Sequence, residues 1–280
     1  MAIELRGLEG KKVLITGGWK GQGFNHAKAF AEGGCDVALL DIDHDIDDIY
    51  SLATPDMGAS AVAAIEERGQ RAVAIECDIR HEDEVKAAVD KALEFFDGEI
   101  NVIVNNAGIA ALDVIHKMRP STMNAIIDTN LKGAFHVTKY AADNMIGRRE
   151  GKIINIGSGV VGSGHSLLSH YVASKWGICG ATTAWATEMA EFNINVNAIL
   201  PATIKPGEGQ GSGMVQGLSK EMDMTPEAAF EEFSAAGQMV GSKWRCEMHN
   251  ITDMVVFLAS DNADMITGAI IPVDCGMTAL

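Results

Sequence analysis

The sequence predicts an α/β fold: a single domain built on a doubly wound sheet of about seven parallel strands flanked by helices. Three observations lead there. Short apolar runs alternate with stretches of helical composition almost to the end of the chain, a pattern that gives a right-handed parallel sheet with helices on both faces. The first run passes straight into a glycine-rich turn, Val13-Leu-Ile-Thr-Gly-Gly-Trp-Lys-Gly-Gln-Gly23, and then into a helical segment. The second run ends on an acid, Asp41, about twenty residues past that turn.

Taken in order, Val13, Leu14 and Ile15 form the first strand, and Phe24 to Ala31 the helix after the turn. Asp36–Leu40 reads as the second strand, Arg71–Glu76 as the third and Ile100–Asn105 as the fourth. Lys152–Ile156, Asn193–Leu200 and Ala269–Val273 supply the fifth to seventh. Between them, Ser60–Arg68, Glu82–Phe96, Thr122–Ile146, Tyr171–Glu191 and Ile251–Ser260 read as helices. Two stretches break this rhythm. Residues 42–57 form an acidic insertion carrying Asp43, His44, Asp45, Asp47 and Asp48, then Tyr50-Ser-Leu-Ala-Thr-Pro55. Residues 201–240 form a long segment with Gly207, Gly209, Gly211, Gly213 and Gly217, followed by a short helical piece from Pro226. Loops this long in a compact domain are lids, binding loops or disordered insertions. The second follows the sixth strand at the expected ligand edge, which marks it as a substrate lid.

Composition narrows the function classes. The 280 residues are 47% hydrophobic, enough for a substantial core. A formal net charge of −16 argues against nucleic acid and anionic membrane surfaces as partners. Cys35, Cys77, Cys179, Cys246 and Cys275 are scattered without CxxC spacing, which favours reduced thiols over disulfides or a zinc site. No signal-like N-terminal segment and no membrane-length apolar run is visible, so a cytoplasmic protein is expected. The acidic cluster fits no calcium-loop spacing and reads as a solvated turn, so no metal is expected.

The glycine turn carries the first functional signal. Gly17, Gly21 and Gly23 sit where a strand becomes a helix, the context that marks a dinucleotide site and a Rossmann-like sheet. Glycines there permit a tight turn and let the backbone approach a pyrophosphate, which the helix N-terminus then receives. Asp41 stands where a carboxylate accepts the adenosine ribose hydroxyls and repels a 2′-phosphate. No Arg or Lys follows it, so the expected cofactor is NAD rather than NADP. Tyr171 and Lys175, four apart at a helix start, share one face. An ammonium beside a phenol favours the phenolate, which would bring the tyrosine from near 10 toward working pH as a base.

Thr16-Gly-x-x-x-Gly-x-Gly23, Asp78, Asn105-Asn-Ala-Gly108, Asn130, Ser158 and Tyr171-x-x-x-Lys175, in that order, resemble the short-chain dehydrogenase/reductase family over nearly the whole chain. The resemblance implies one NAD-binding domain over residues 1–280. It implies Tyr171 as general acid/base, Ser158 as the group that orients the substrate oxygen, Lys175 on the nicotinamide ribose and Asn130 holding a relay water. Ser158 is preferred over Ser163, Ser166 and Ser169 because its spacing to Tyr171 agrees with the family. Cofactor contacts are implied for Gly17, Gly21, Gln22 and Gly23 in the turn, and for Asp41, Ile42, Cys77, Asp78 and Ile79 at the adenosine end. Asn106, Ala107 and Gly108 would flank the cofactor, with Ile156, Tyr171, Lys175, Pro201, Thr203 and Ile204 around the nicotinamide.

Gly21-Gln-Gly23, His26 and the Tyr50-x-Leu-Ala-Thr-Pro55 loop further resemble the carveol-dehydrogenase-like, mycofactocin-associated subfamily. That resemblance implies that residues 42–57 cover the NAD and that an external redox carrier, rather than free NAD, accepts the electrons. Met214, Met222, Met224, Met239, Phe230 and Phe233 make the lid apolar, which suits a bulky terpenoid or steroid alcohol and its ketone. For His165 and His170 a polar lid-facing position is the expectation, with substrate contact as the alternative. The family commonly forms homotetramers by pairing two helices, here those carrying Phe135 and Tyr140, and Trp176 and Trp185. The chain departs from the family pattern at Pro201-Ala202, Asp274-Cys275-Gly276 and Phe24-Asn25. Two alternatives stand beside the alcohol dehydrogenase: a 3-oxoacyl or small-ketone reductase, and a non-catalytic dinucleotide-sensing module.

Overall fold

The computed structural model describes residues 5–162, 164–205, 213–235 and 245–279. Strand β1 (Lys12–Thr16) leads through the glycine turn into helix α1 (Gly21–Glu32). Strand β2 (Asp36–Asp41), α2 (Pro55–Glu66), β3 (Ala72–Glu76), α3 (Glu82–Phe95) and β4 (Val102–Asn105) complete the first half. The second half runs through α4 (Pro120–Ile127), α5 (Gly133–Arg148), β5 (Gly151–Ile156), α6 (Ser169–Met189) and β6 (Ile194–Pro201). Helices α7 (Gly213–Glu221), α8 (Pro226–Ala235) and α9 (Met248–Ala259) precede the last strand, β7 (Ile270–Val273).

All seven strands are parallel, in the order β3-β2-β1-β4-β5-β6-β7. Strand order reverses between β1 and β4, and an open sheet leaves its ligand crevice beyond the carboxyl ends at that switch. Both faces of the sheet are covered, which is why the strands read as unbroken apolar runs rather than alternating ones. The period of two sorts their side chains. Val13 and Ile15 join a core with Phe30, Ile65, Ile251 and Val255, while Leu14 joins Val85, Phe96, Val137 and Met145 on the other face.

Four elements differ from expectation. Helix α2 begins at Pro55 rather than Ser60, because Pro55 occupies the first turn, where its missing N–H costs nothing. The expected helix Thr122–Ile146 starts at Pro120 and is interrupted by a π-helical turn, Asp128–Lys132, that separates α4 from α5. Helix α7 lies in the stretch read as glycine-rich loop. Helix α9 begins at Met248, where Glu247 and Asn250 form a reciprocal capping box. Ser163, and Gly207, Gly209, Gly211 and Met239 of the expected lid, lie outside the described residues.

The acidic insertion is tied down at several points. Ile46, Leu52 and Ala53 are buried. The Asp45 carboxylate accepts the Leu52 N–H at 2.7 Å, and the Ser51 carbonyl accepts from Lys20 Nζ at 2.9 Å. Asp48 pairs with the Arg119 guanidinium at 2.8 Å and accepts from Ser121 Oγ at 2.8 Å, at the start of α4. Among the described residues no helix is long and apolar enough to cross a membrane, and no His, Cys, Asp and Glu cluster is placed to hold a metal.

Candidate active site

The cleft at the strand switch is built from the ends of β1, β2, β4 and β5. Thr16, the last residue of β1, staples two of them together. Its hydroxyl accepts the N–H groups of Asn106 (3.1 Å) and Ala107 (3.0 Å), and Asn106 Nδ2 donates to the carbonyls of Thr16 (2.8 Å) and Gly17 (3.1 Å). Gly17 takes φ +64°, a left-handed value that glycine adopts without penalty. A Cβ on Gly21 would meet nothing within 4 Å, so the turn leaves open space at the N-terminus of α1. A Cβ on Gly23 would lie 2.1 Å from the Gly17 carbonyl oxygen, so this glycine allows helix and turn to approach closely.

The nucleotide half of the cleft is walled by Gly17, Gly21, Gln22, Asp41, Ile42, Cys77, Asp78, Ile79, Asn106, Ala107 and Gly108. Asp41 accepts the Trp19 N–H and the Ile42 N–H, each at 2.9 Å, while burial pushes its carboxyl up to about 6. Asp78 is only 4% exposed. Burial works against its charge, but hydrogen bonds from Arg80, whose Nε lies 2.9 Å from both carboxylate oxygens, hold it below the usual carboxylate range. Two buried polar atoms on this wall, Gln22 Oε1 and Thr129 Oγ1, have no hydrogen-bond partner. An open turn at a helix N-terminus, a carboxylate at the end of β2 and two orphaned buried polar atoms on wall residues together fit a dinucleotide.

The second half holds the reactive set. Ile156, Ser158, Tyr171, Lys175, Pro201, Thr203 and Ile204 share its wall. Tyr171 and Lys175 lie one turn apart on α6, with Nζ 5.7 Å from the phenol ring centre. Lys175 donates to the Ile156 carbonyl at 2.8 Å, and burial lowers its ammonium to about 8. Tyr171 is 5% exposed, and burial pushes its phenol up to about 12, opposed by a hydrogen bond from Ser158. The expected lowering of this pKa by Lys175 is therefore reversed in direction. The ammonium is engaged by a carbonyl and is itself depressed, so desolvation of the phenol prevails.

Asn130 sits in the π-helical turn, behind the wall. Its Oδ1 accepts the Ile109 N–H at 2.8 Å, and its Nδ2 donates to the Ile109 carbonyl (2.9 Å) and to Ser174 Oγ (3.1 Å). Ser174 Oγ in turn donates to the Tyr171 carbonyl at 2.7 Å. The side chain thus clamps the β4 loop to α6, and the π-turn is the local device that aims it inward.

Gln22, Asn106, Gly108 and Met214 belong to both halves, so the nucleotide cleft opens directly onto Ser158, Tyr171 and Lys175. Met214, Phe233 and His165 line the reactive half, with Leu168, Leu218 and Met277 beside them. Phe230 and Met224 instead pack with Val215 and Ala229 between α7 and α8, and His170 is buried outside the wall. Lys20, Ile109 and Thr129 of the nucleotide half were not singled out in the sequence, while Tyr50 belongs to the 42–57 loop expected to cover the cofactor. Lys20 lies inside the glycine turn, where its position between strand and helix was the available signal. Cys275, at the family-variant position, takes φ +56°, with Asp274 accepting the N–H groups of Gly276 (2.9 Å) and Thr278 (2.8 Å) around it. The turn keeps a left-handed residue without glycine and delivers Met277 to the cleft.

A model of the family described as short chain dehydrogenase matches residues 11–212. The chain is similar to (−)-trans-carveol dehydrogenase of Rhodococcus erythropolis, 34% identical over 97% of this chain and 98% of that one. It is also similar to a 3-oxoacyl-acyl-carrier-protein reductase of Staphylococcus aureus, 34% identical over 95% of this chain and 98% of the relative. Among solved structures, carveol dehydrogenase from Mycobacterium avium in complex with NAD superposes with a TM-score of 0.87 at 29% identity, covering 97% of this chain and 99% of that one.

Proposed function

The chain belongs to the short-chain dehydrogenase family, and from that premise we propose that it is an NAD-dependent dehydrogenase interconverting a secondary alicyclic alcohol, of terpenoid or steroid type, and its ketone. The observation that carries this reading is the continuity of the two half-clefts. Side chains that suit a dinucleotide and side chains that handle a hydroxyl proton face one space. The apolar wall of Met214, Leu218, Phe233 and Met277 supports a bulky hydrocarbon substrate. Asp41, with its partly buried carboxylate at the end of β2, supports NAD over NADP, as does the NAD complex of the Mycobacterium avium carveol dehydrogenase.

Gly17, Gly21, Gln22, Asp41, Asp78 and Asn106–Gly108 would hold the cofactor, with Lys175 at its ribose. Bound NAD supplies the hydride acceptor. Ser158 donates to the substrate oxygen and orients it toward Tyr171. Tyr171 takes the hydroxyl proton in oxidation and returns it in ketone reduction. A phenol pushed to about 12 is protonated at neutral pH, so the positive charge of Lys175 is needed to form the base, and the protonated phenol is well suited as the acid for reduction. Asn130 acts through Ile109 and Ser174 to fix this group's position. In the same reading residues 42–57 cover the nucleotide, residues 201–240 close over the substrate, an external redox carrier reoxidises the cofactor, and copies pair through α5 and α6 as a homotetramer. Phe135 and Trp176, exposed on those helices, support the pairing.

The test is turnover of a panel of terpenoid, steroid and simple cyclic alcohols with NAD and with NADP, with parent and Tyr171→Phe. The reading expects NAD-linked oxidation of at least one alicyclic alcohol, lost in the variant while cofactor binding persists. Preferred reduction of 3-oxoacyl thioesters with NADP would favour the function named for the Staphylococcus aureus relative. Binding of NAD with no turnover of any carbonyl or alcohol would leave a sensing module.

A further inference from the structure

The acidic insertion and the helix over the substrate half meet at one contact. Tyr50 lines the nucleotide half of the cleft and packs into the apolar cluster that contains Ile109, Ala110, Tyr171, Leu168 and Leu218. Its hydroxyl reaches the Ala110 backbone. Helix α7 lies directly against the ring. A Cβ on buried Gly217 would fall 2.2 Å from Tyr50 Cγ and 2.4 Å from Tyr50 Cβ, so only a glycine lets the helix seat here.

Helical spacing places Met214, Gly217, Leu218 and Glu221 on one face of α7. Each of the other three touches a different part of the site. Met214 lines both halves of the cleft, Leu218 lines the reactive half, and Glu221 Oε2 accepts the Leu112 N–H at 3.3 Å. The height of α7 above Tyr171 is thus set by how closely Gly217 sits on Tyr50. Tyr50 is fixed from the other side by its own loop, which Lys20 and Arg119 anchor through Ser51 and Asp48.

We propose that Tyr50 is a positioning residue that couples the two walls of the site: its contact with Gly217 seats the substrate-facing helix and at the same time holds the insertion over the nucleotide. Substrate fit and cofactor retention then depend on one contact and change together. This rests on the NAD reading given above. Opening of α7 frees the Tyr50 ring, and withdrawal of Tyr50 drops the support under Met214 and Leu218.

The test is a four-cornered cycle of parent, Gly217→Ala, Tyr50→Ala and the double variant, with Tyr50→Phe as the conservative control. Three readouts are taken: the dissociation rate of NADH by stopped-flow fluorescence, kcat and KM for the alcohol turned over, and the thermal unfolding midpoint without cofactor. Gly217→Ala in the parent should raise the NADH dissociation rate and the alcohol KM by about tenfold each, with kcat changed much less. In the Tyr50→Ala background the same alanine should have little further effect, because the clashing ring is gone, whereas in the Tyr50→Phe background, which keeps the ring, its effect should persist. An undiminished effect of Gly217→Ala without Tyr50, or a KM shift with an unchanged NADH rate, overturns the coupling. If the parent binds no NADH, the NAD reading fails, and the contact itself is still decided by whether the unfolding midpoint falls with Gly217→Ala only when Tyr50 is present.

Discussion

Gly23→Ala probes the nucleotide cradle by pressing on Gly17 and Asn106, both of which would hold the nucleotide. The added Cβ would stand 2.1 Å from the Gly17 carbonyl oxygen and 2.6 Å from Asn106 Nδ2, where 3.0 Å is the closest approach proteins show. Helix or turn must therefore retreat by about 1 Å, a displacement of the size that costs about 100-fold in a preorganised site. The retreat also pulls on Asn106, whose side chain joins the ends of β1 and β4. Overpacking of this kind destabilises by about 2 kcal/mol. NADH fluorescence titration should show affinity falling by about 100-fold, alongside a lowered unfolding midpoint. Two controls separate clash from strain. Gly21→Ala meets no neighbour but keeps φ +56°, which costs a non-glycine residue about 1 kcal/mol. Gly147→Ala, in open space on α5, should leave both readouts at parent values or slightly better. Parent-like NADH affinity and stability in Gly23→Ala would refute the reasoning that close helix–turn approach builds the cradle.

The remaining expectations concern the ionisable groups. Lys175 has a folded pKa of about 8 against 10.5 unfolded, so burying its charge costs stability at neutral pH, and that cost fades as pH rises through 8 toward 10. Lys175→Met should therefore gain on the parent at pH 7 relative to pH 10 by about 2 kcal/mol, read from urea unfolding of the two proteins without cofactor; a pH-independent difference would contradict the assignment. Arg80→Ala leaves the buried Asp78 carboxylate short of its partner and should destabilise by about 2 kcal/mol at pH 7. Because the Asp78 pKa is lowered, that loss should shrink as pH falls below the ordinary carboxylate range, and a loss that persists at low pH would point to packing alone. Asp41→Ser should weaken NAD by about tenfold and narrow the gap to NADP, since a charged acceptor is removed and Lys20 stays beside the site.

The strands were legible because a sheet covered on both faces needs uninterrupted apolar runs, and β1 and β5 supply them. The glycine turn and Asp41 were legible because backbone geometry and phosphate binding leave few residue choices there. Tertiary contacts hid the rest. Gly217 reads as a helix breaker in sequence, yet α7 forms and needs that glycine to clear Tyr50. The start of α2 was available in Thr54-Pro55, a helix-entry signal that the acidic loop around it obscured. The π-turn at Asn130 leaves no local pattern, since a single extra residue per turn is fixed by what Asn130 clamps. The Tyr171 phenol was misjudged in direction because spacing shows that a lysine is near but not how completely both groups are buried.

The most direct test of the central claim is whether the purified chain binds NAD(H) and oxidises an alicyclic alcohol through Tyr171. The account predicts NADH appearing on addition of a terpenoid or steroid alcohol, abolished by Tyr171→Phe with NADH affinity retained. If the insertion holds the cofactor, the first turnover is followed by further turnover only when an artificial electron acceptor is present. Failure to bind either nucleotide, or equal turnover by parent and Tyr171→Phe, would contradict the account.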